Sequence, residues 1–550
     1  MKKIKLLTVS LFLISGALTY QSCETTEMDL TEDPNALTPG QADPDYYINS
    51  IQVDFASTVQ LFGTTASQVT RINYMSGRNY QNAYGANFFD TRWRNAYQRV
   101  IKNIREMNPI AEEKGLTKHI GMGQVMEAYM MVTLVDFFGD VPYSEAWTSG
   151  NLAPKLDSGA SIYDASLALL DEAIVNFNAT ATAEPVHDMY YNKSWATWIK
   201  LANSLKMKIY MQRRLVDPTA VSSFEAIVAI GDYIQEGEDF EFKWGTNINN
   251  PDSRHPLYVG AYTPTGTEGY MSNWLMNYMK NTKAIQDPRM KFYFYRQVND
   301  TPISEELIRC TIEPTPAHYL AGGHTFCRIP NNEGYWGRDH GNDEGTPPDG
   351  QRKTAYGLYP VGGRFDDNSF QAINGISFGA QGRGITPIFL ASTVDFLRAE
   401  SSLNGGTGNT NALVAAGIQK SFNKVRSFLA FAGSYNPNAV PSITMDANYI
   451  SIVGTQLTNA STTAAKMNIV AKEFFVTLFG NGIDAYNFYR RTGFPNDIQP
   501  NVEPNPGGFI RSFLYPANEA NTNANMTQKS TVTQRVFWDN NPETGFPANN

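Results

Sequence analysis

Residues 124–147 read QVMEAYMMVTLVDFFGDVPYSEAW, and the rest of the chain is organised around them. Val125, Tyr129, Val132 and Val135 recur at intervals of three and four, with Met130 and Leu134 beside them. That spacing predicts an apolar helix packed on more than one side. Gly139 supplies a C-cap and Pro142 forbids continuation. Asp140 follows the cap, where a carboxylate can hold a backbone turn. Asp136 and Asp140 flank the helix end and read as structural groups rather than as an acid/base pair.

The chain has 550 residues, 42% of them apolar, ample for a large core. A formal charge of -9 argues against nucleic-acid binding, which calls for a basic face. Only 18% of residues are charged, whereas Asn, Gly, Tyr and Phe are plentiful, a balance suited to a secreted protein with a polar, lightly charged surface. Lys2, Lys3 and Lys5 precede an apolar run at 6–18 that is too short for a permanent membrane span, the order of an export signal. Ser22-Cys23 then reads as a lipobox, with Cys23 acylated and 1–22 removed; an ordinary cleaved signal with an incidental Cys is the alternative. Residues 23–43 read as an acidic flexible tether. Beyond Cys23 only Cys310 and Cys327 remain. They suit one disulfide, two free thiols or, with His318 and His324, a zinc site.

From Asp43-Pro44, an N-cap followed by a first-turn proline, the chain reads as paired helices. Ile48, Ile51, Phe55, Val59 and Phe62 mark the first, with 63–87 as a loop. Trp93, Tyr97, Val100 and Ile104 mark the second, expected to end before Pro109. Later stripes run from Ile162 to Phe177 and from Trp195 to Ile209. A capping box at Ser222 and Glu225 opens a further helix. Residues 237–386 lose periodicity and gain Gly, Pro and scattered aromatics, including Tyr258, Tyr262, Tyr270 and Tyr356, with one short helix near 271–280. Helices resume around Leu390–Ser401, Ile418–Leu429 and Met467–Leu478. The Asn/Pro-rich tail from Asn501 is expected on the surface. The fold class is mainly α with little β: tetratricopeptide-like pairs at 44–236 and 387–492 forming one domain, 44–550, around a long irregular insertion at 237–386.

Several motifs occur together and in order: GDVPYSEA at 139–146, IQDPRM at 285–290, VDFLRAES at 394–401, AKEFFVTLFGNGIDAYNFYRRTGFP at 471–495 and FLYPANEANTN at 513–523. With the Cys23 lipobox and its acidic lead, they resemble the SusD/RagB family of outer-membrane nutrient-binding lipoproteins. The resemblance implies a lipid-anchored protein on the cell surface, at the outer membrane. It would bind an oligosaccharide or a peptide without altering it and pass it to a SusC-like TonB-dependent transporter. No cofactor is implied.

Sugar rings stack on aromatic faces while Asn and Arg satisfy hydroxyls. Two segments carry that chemistry on apparent loops: Tyr74, Arg78, Tyr80, Asn82 and Tyr84, and, in the insertion, Trp274, Tyr335, Trp336 and Arg338. Arg490 and Arg491 read as structural clamps. A surface glycoside hydrolase is the competing class, yet no HExxH or phosphate loop occurs. The acidic loop DHGNDEGTPPDG, with Asp339, Asp343, Glu344 and Asp349, reads either as a solvated loop or as a calcium site outside the EF-hand pattern.

Overall fold

A computed structural model describes residues 43–300, 308, 310, 312–345 and 347–542. The expectations for the signal peptide, Cys23 and the tether up to residue 42 lie outside the described residues. The architecture is mainly α. Helix α1 spans Pro44–Val69, and a short helix Asp90–Arg94 passes through a π-helix, Asn95–Ile101, into α2, Lys102–Glu113. Next come α3, Thr117–Phe138, α4, Gly159–Asn178, α5, Trp195–Arg213, and α6, Ala220–Ile230. The insertion carries α7, Asn273–Asn281. Then follow α8, Ala391–Ser402, α9, Thr410–Ser427, α10, Ile443–Asn459, α11, Thr463–Thr477, α12, Gly482–Thr492, and a short α13, Ala517–Thr522. Successive helices pack on one another as pairs. Among the described residues the longest pairing of strands is one antiparallel ladder of β1, Phe240–Lys243, with β2, Ile385–Phe389, which brackets the insertion.

Helix α3 is the centre. Every residue from Lys118 to Phe138 is buried, so neighbours cover it all round. It ends at Gly139, whose φ of 80° and ψ of -127° suit glycine alone. Asp140 accepts from the Gly159 N–H at 2.8 Å and so holds the entry to α4. Asp136, fully buried, accepts from Tyr163 Oη, from Asn487 Nδ2 at 2.6 Å and from Trp538 Nε1 at 2.9 Å. One carboxylate thereby ties α3 to α4, α12 and the C-terminal tail, and three donors offset the cost of burying it.

Several boundaries differ from the sequence reading. Helix α1 continues through Gly63 to Val69 because Gly63 and Ser67 meet Gly482 of α12 backbone to backbone. Helix α2 runs through Pro109, since Ile110 and Ala111 beyond it are buried and reward continuation. Helix α6 starts after Thr219, not at Ser222. Glu225 reaches across to Ser401 and Thr407 instead of closing a capping box. Helix α10 was not read from the sequence. The tail from Asn501 is not a surface strand of chain. Phe509, Ile510, Phe513 and Trp538 are buried, and the Arg511–Asp539 ion pair, with Nε 2.6 Å from Oδ2, seals them in.

Arg490 and Arg491 are clamps, as read. Arg491 forks onto Glu400 at 2.8 and 2.7 Å, and Arg214 donates to the same carboxylate at 3.0 Å. Arg490 donates to Arg511 O and to Asn487 Oδ1.

Candidate functional site

The loop after α1 is fixed from below. Arg71 adopts a positive φ of 64°, and its buried guanidinium donates to Gln499 O, Val69 O and Tyr80 Oη at 2.9, 2.9 and 2.8 Å. From there three segments of distant sequence lace together through isolated backbone bridges, Asn73 with Met271, Ser76 with Gly341 and Ser272 with Arg338. The loop at 71–84 and two parts of the insertion are thus joined through their backbones.

Of the nine expected ligand residues, only Tyr74, Arg78 and Asn82 reach solvent. Tyr80 is buried with its hydroxyl between Arg71 and His340. Tyr84 donates to Gln68 Oε1 at 2.9 Å and packs on Phe513. Trp274 stacks on Tyr278, 6.0 Å between centroids, inside α7. Tyr335 is buried beneath Arg296, and Trp336 is buried with its indole N–H on Asp349 at 3.0 Å. Arg338 is buried, donating to Glu344 O and Gly345 O at 2.7 and 2.8 Å. These six support the surface and present no ring face or free donor to solvent. Their burial is the physical correction to the reading of them as contact residues.

What does face outward is a compact polar and aromatic patch. Tyr74, half-buried, donates to Asn342 O and meets Tyr270 edge to face, 5.8 Å between centroids. Arg338 and Lys353 lie 4.3 and 4.2 Å from the Tyr270 ring centre, and the Tyr270 hydroxyl reaches Asp349 at 2.9 Å. Burial pushes the Lys353 ammonium below its usual range, with Asp349 opposing. Arg78 donates to Asp343 at 2.6 Å and to Glu344 at 2.9 Å; the bond to Asp343 chiefly holds its guanidinium protonated. Sequence reasoning missed Tyr270. Tyr270 is half-buried, and no periodicity in this irregular stretch marked it out.

The four acidic side chains of the 339–350 loop do not converge but go to three different sets of partners. Asp339 takes Asn273, Cys327 N–H and Gln499; Asp349 takes Tyr270 and Trp336; Asp343 and Glu344 take Arg78. Among the described residues no group of three His, Cys, Asp or Glu is placed to hold a metal ion. Cys310 and Cys327 form a disulfide, Cα atoms 5.7 Å apart, which replaces the zinc reading. No helix of the described residues is long and apolar enough to cross a membrane.

A helical-pair scaffold presenting one laced loop surface defines a helical-repeat protein with a loop-built face. Residues 34–306 match the family model described as starch-binding associating with outer membrane, and residues 371–540 match that of the SusD and RagB outer membrane lipoprotein. The chain belongs to the SusD/RagB family. No curated protein matches it. Among solved structures, a chitin-binding SusD homologue from Flavobacterium johnsoniae is 20% identical, with TM-score 0.63, covering 90% of this chain and 98% of its own. A Bacteroidetes SusD-like protein is 16% identical, with TM-score 0.66 and coverage of 91% and 100%. A SusD homologue from Bacteroides fragilis is 18% identical, with TM-score 0.63 and coverage of 91% and 99%. These likenesses define the fold.

Proposed function

We propose that the chain captures an oligosaccharide at the patch of Tyr74, Arg78, Asn82, Asp343 and Glu344, without chemical change. In this reading it is anchored to the outer surface of the outer membrane through Cys23 and hands its ligand to a SusC-like TonB-dependent transporter. The observation that carries it is the pairing of Arg78 with two partly exposed carboxylates beside the half-buried ring of Tyr74. Such a set donates to and accepts from vicinal hydroxyls at once, while the ring covers an apolar C–H face. The family match and the chitin-binding neighbour support a glycan over other ligands.

The test is titration calorimetry of the chain lacking residues 1–23 against panels of oligosaccharides and peptides. Arg78→Ala should weaken glycan binding with the melting temperature unchanged, because half-exposed ion pairs contribute about 0–1 kcal/mol to stability. Trp336→Ala, by contrast, should lower the melting temperature. Tight peptide binding with no glycan binding, or undiminished affinity in Arg78→Ala, would refute the assignment. Release of reducing sugar by the purified chain would favour the hydrolase.

A further inference from the structure

A second groove lies elsewhere on the molecule, between the π-helix, the corner after α3 and α13. Its volume is about 410 Å³, within the range of sites that hold small organic ligands. One wall carries Trp93, Arg94, Tyr97 and Gln98; Trp147 and Glu519 face them. Trp93, Tyr97 and Trp147 form a ladder, with centroids 4.7 and 6.1 Å apart and rings within 32° and 26° of parallel. The walls are tied together: Tyr97 Oη donates to Pro142 O at 2.7 Å, and Asp90 accepts from the Asn518 N–H at 2.9 Å.

Three observations point to a ligand. Trp93 and Trp147 both line the groove, and their indole N–H groups, bonded to no acceptor among the described residues, stay open to solvent there. Arg94 and Gln98 are exposed and equally without hydrogen-bond partners there. The wall that carries Tyr97 and Gln98 is wound as a π-helix, a form poorer in stability than α and frequent at functional sites. Charge selects the ligand class. Asp90 and Glu519 are matched by Arg94 and Lys102, so an ion of either sign meets as many like charges as opposite ones. A neutral ring bearing several hydroxyls uses both signs and lays its C–H face on the ladder.

We infer that this groove is a second saccharide site, independent of the patch around Arg78. The test is an array of immobilised chito-, malto-, xylo- and manno-oligosaccharides, probed with the chain lacking residues 1–23. Both exposed side chains are removed together in Arg94→Ala/Gln98→Ala, with Trp147→Phe as a second variant that keeps a ring and loses the indole N–H. Each is also combined with Tyr74→Ala/Arg78→Ala. Loss of two hydrogen bonds should weaken retention of at least one glycan roughly tenfold, in both backgrounds, at unchanged melting temperature. Trp147→Phe should give a smaller loss in the same glycan. If no array glycan is retained, or if the groove variants bind as wild type, the inference is overturned. Silent groove variants with loss in Tyr74→Ala/Arg78→Ala overturn the groove and leave the first site standing. Loss in the groove variants alone does the reverse.

Discussion

Replacing Glu400 by Ala tests the claim that the twin-arginine segment is a structural clamp. Glu400 is fully buried and receives three charged hydrogen bonds, two from Arg491 and one from Arg214. Arg491 is itself 4% exposed and, among the described residues, keeps Gln212 as its hydrogen-bond acceptor once the carboxylate is gone. A buried charge left unpaired costs about 3–5 kcal/mol, so Glu400→Ala should lose that much. Glu400→Gln retains size and an acceptor and should lose about 2 kcal/mol. Glu400→Leu with Arg491→Met, which removes the charge on both sides, should recover more than half of the Ala loss. The measurement is the urea midpoint by tryptophan fluorescence. Acidity supplies an internal check. Burial opposes ionisation of Glu400, but Arg491 and then Arg214 overrule it and hold its carboxyl below the ordinary 4.5. Its contribution is therefore present above pH 4.5 and lost as the pH falls through the folded value, so the gap between wild type and Glu400→Ala should shrink on acidification. A Glu400→Ala protein within 1 kcal/mol (roughly) of wild type, or a gap independent of pH, would refute the reasoning.

Three further outcomes are expected. Gly482→Ala drives a methyl into the backbone of Ser67 and Gly63 and should cost about 1–3 kcal/mol or more, read by the same urea midpoint. Trp538→Ala empties a fully buried site and orphans one acceptor position of Asp136; a loss of about 3–5 kcal/mol is expected, whereas a surface tail would give almost none. Burial pushes the fully buried His255 down to about 3 from 6.5, so it folds neutral while the unfolded chain takes up a proton below pH 6.5. Stability should fall by roughly 2 kcal/mol from this group between pH 7 and 5, and His255→Asn, which can still accept from Leu257 N–H, should flatten that part of the profile.

The fold was legible where periodicity is strong. Helix α3 is apolar on every face, and its stop at Gly139 needs only local chemistry. What escaped was tertiary: Gly121 and Gly123 look like breakers, but added methyls there would strike Phe177 and Ile104, so they are seats for neighbours inside a longer helix. Pro109 was overruled by the burial beyond it, and the tail by aromatics set too irregularly for any period to reveal. For the candidate site the sequence pointed to two segments that the structure brings together, but most of the residues it named are their buried supports. In irregular chain an aromatic ring carries no sign of whether it faces in or out, and only contacts such as Trp336 with Asp349 settle it. Arg78 was legible because a charged group on a loop seldom goes fully inside.

The bond from Trp538 to Asp136 spans 402 positions of sequence. The middle of the protein is therefore completed by a residue synthesised 402 positions after the helix it closes. Until it arrives, the central helix lacks a lid, and a copy interrupted before Trp538 has an open interior that proteases can enter. Such a design delays final closure of the molecule until the tail has been made.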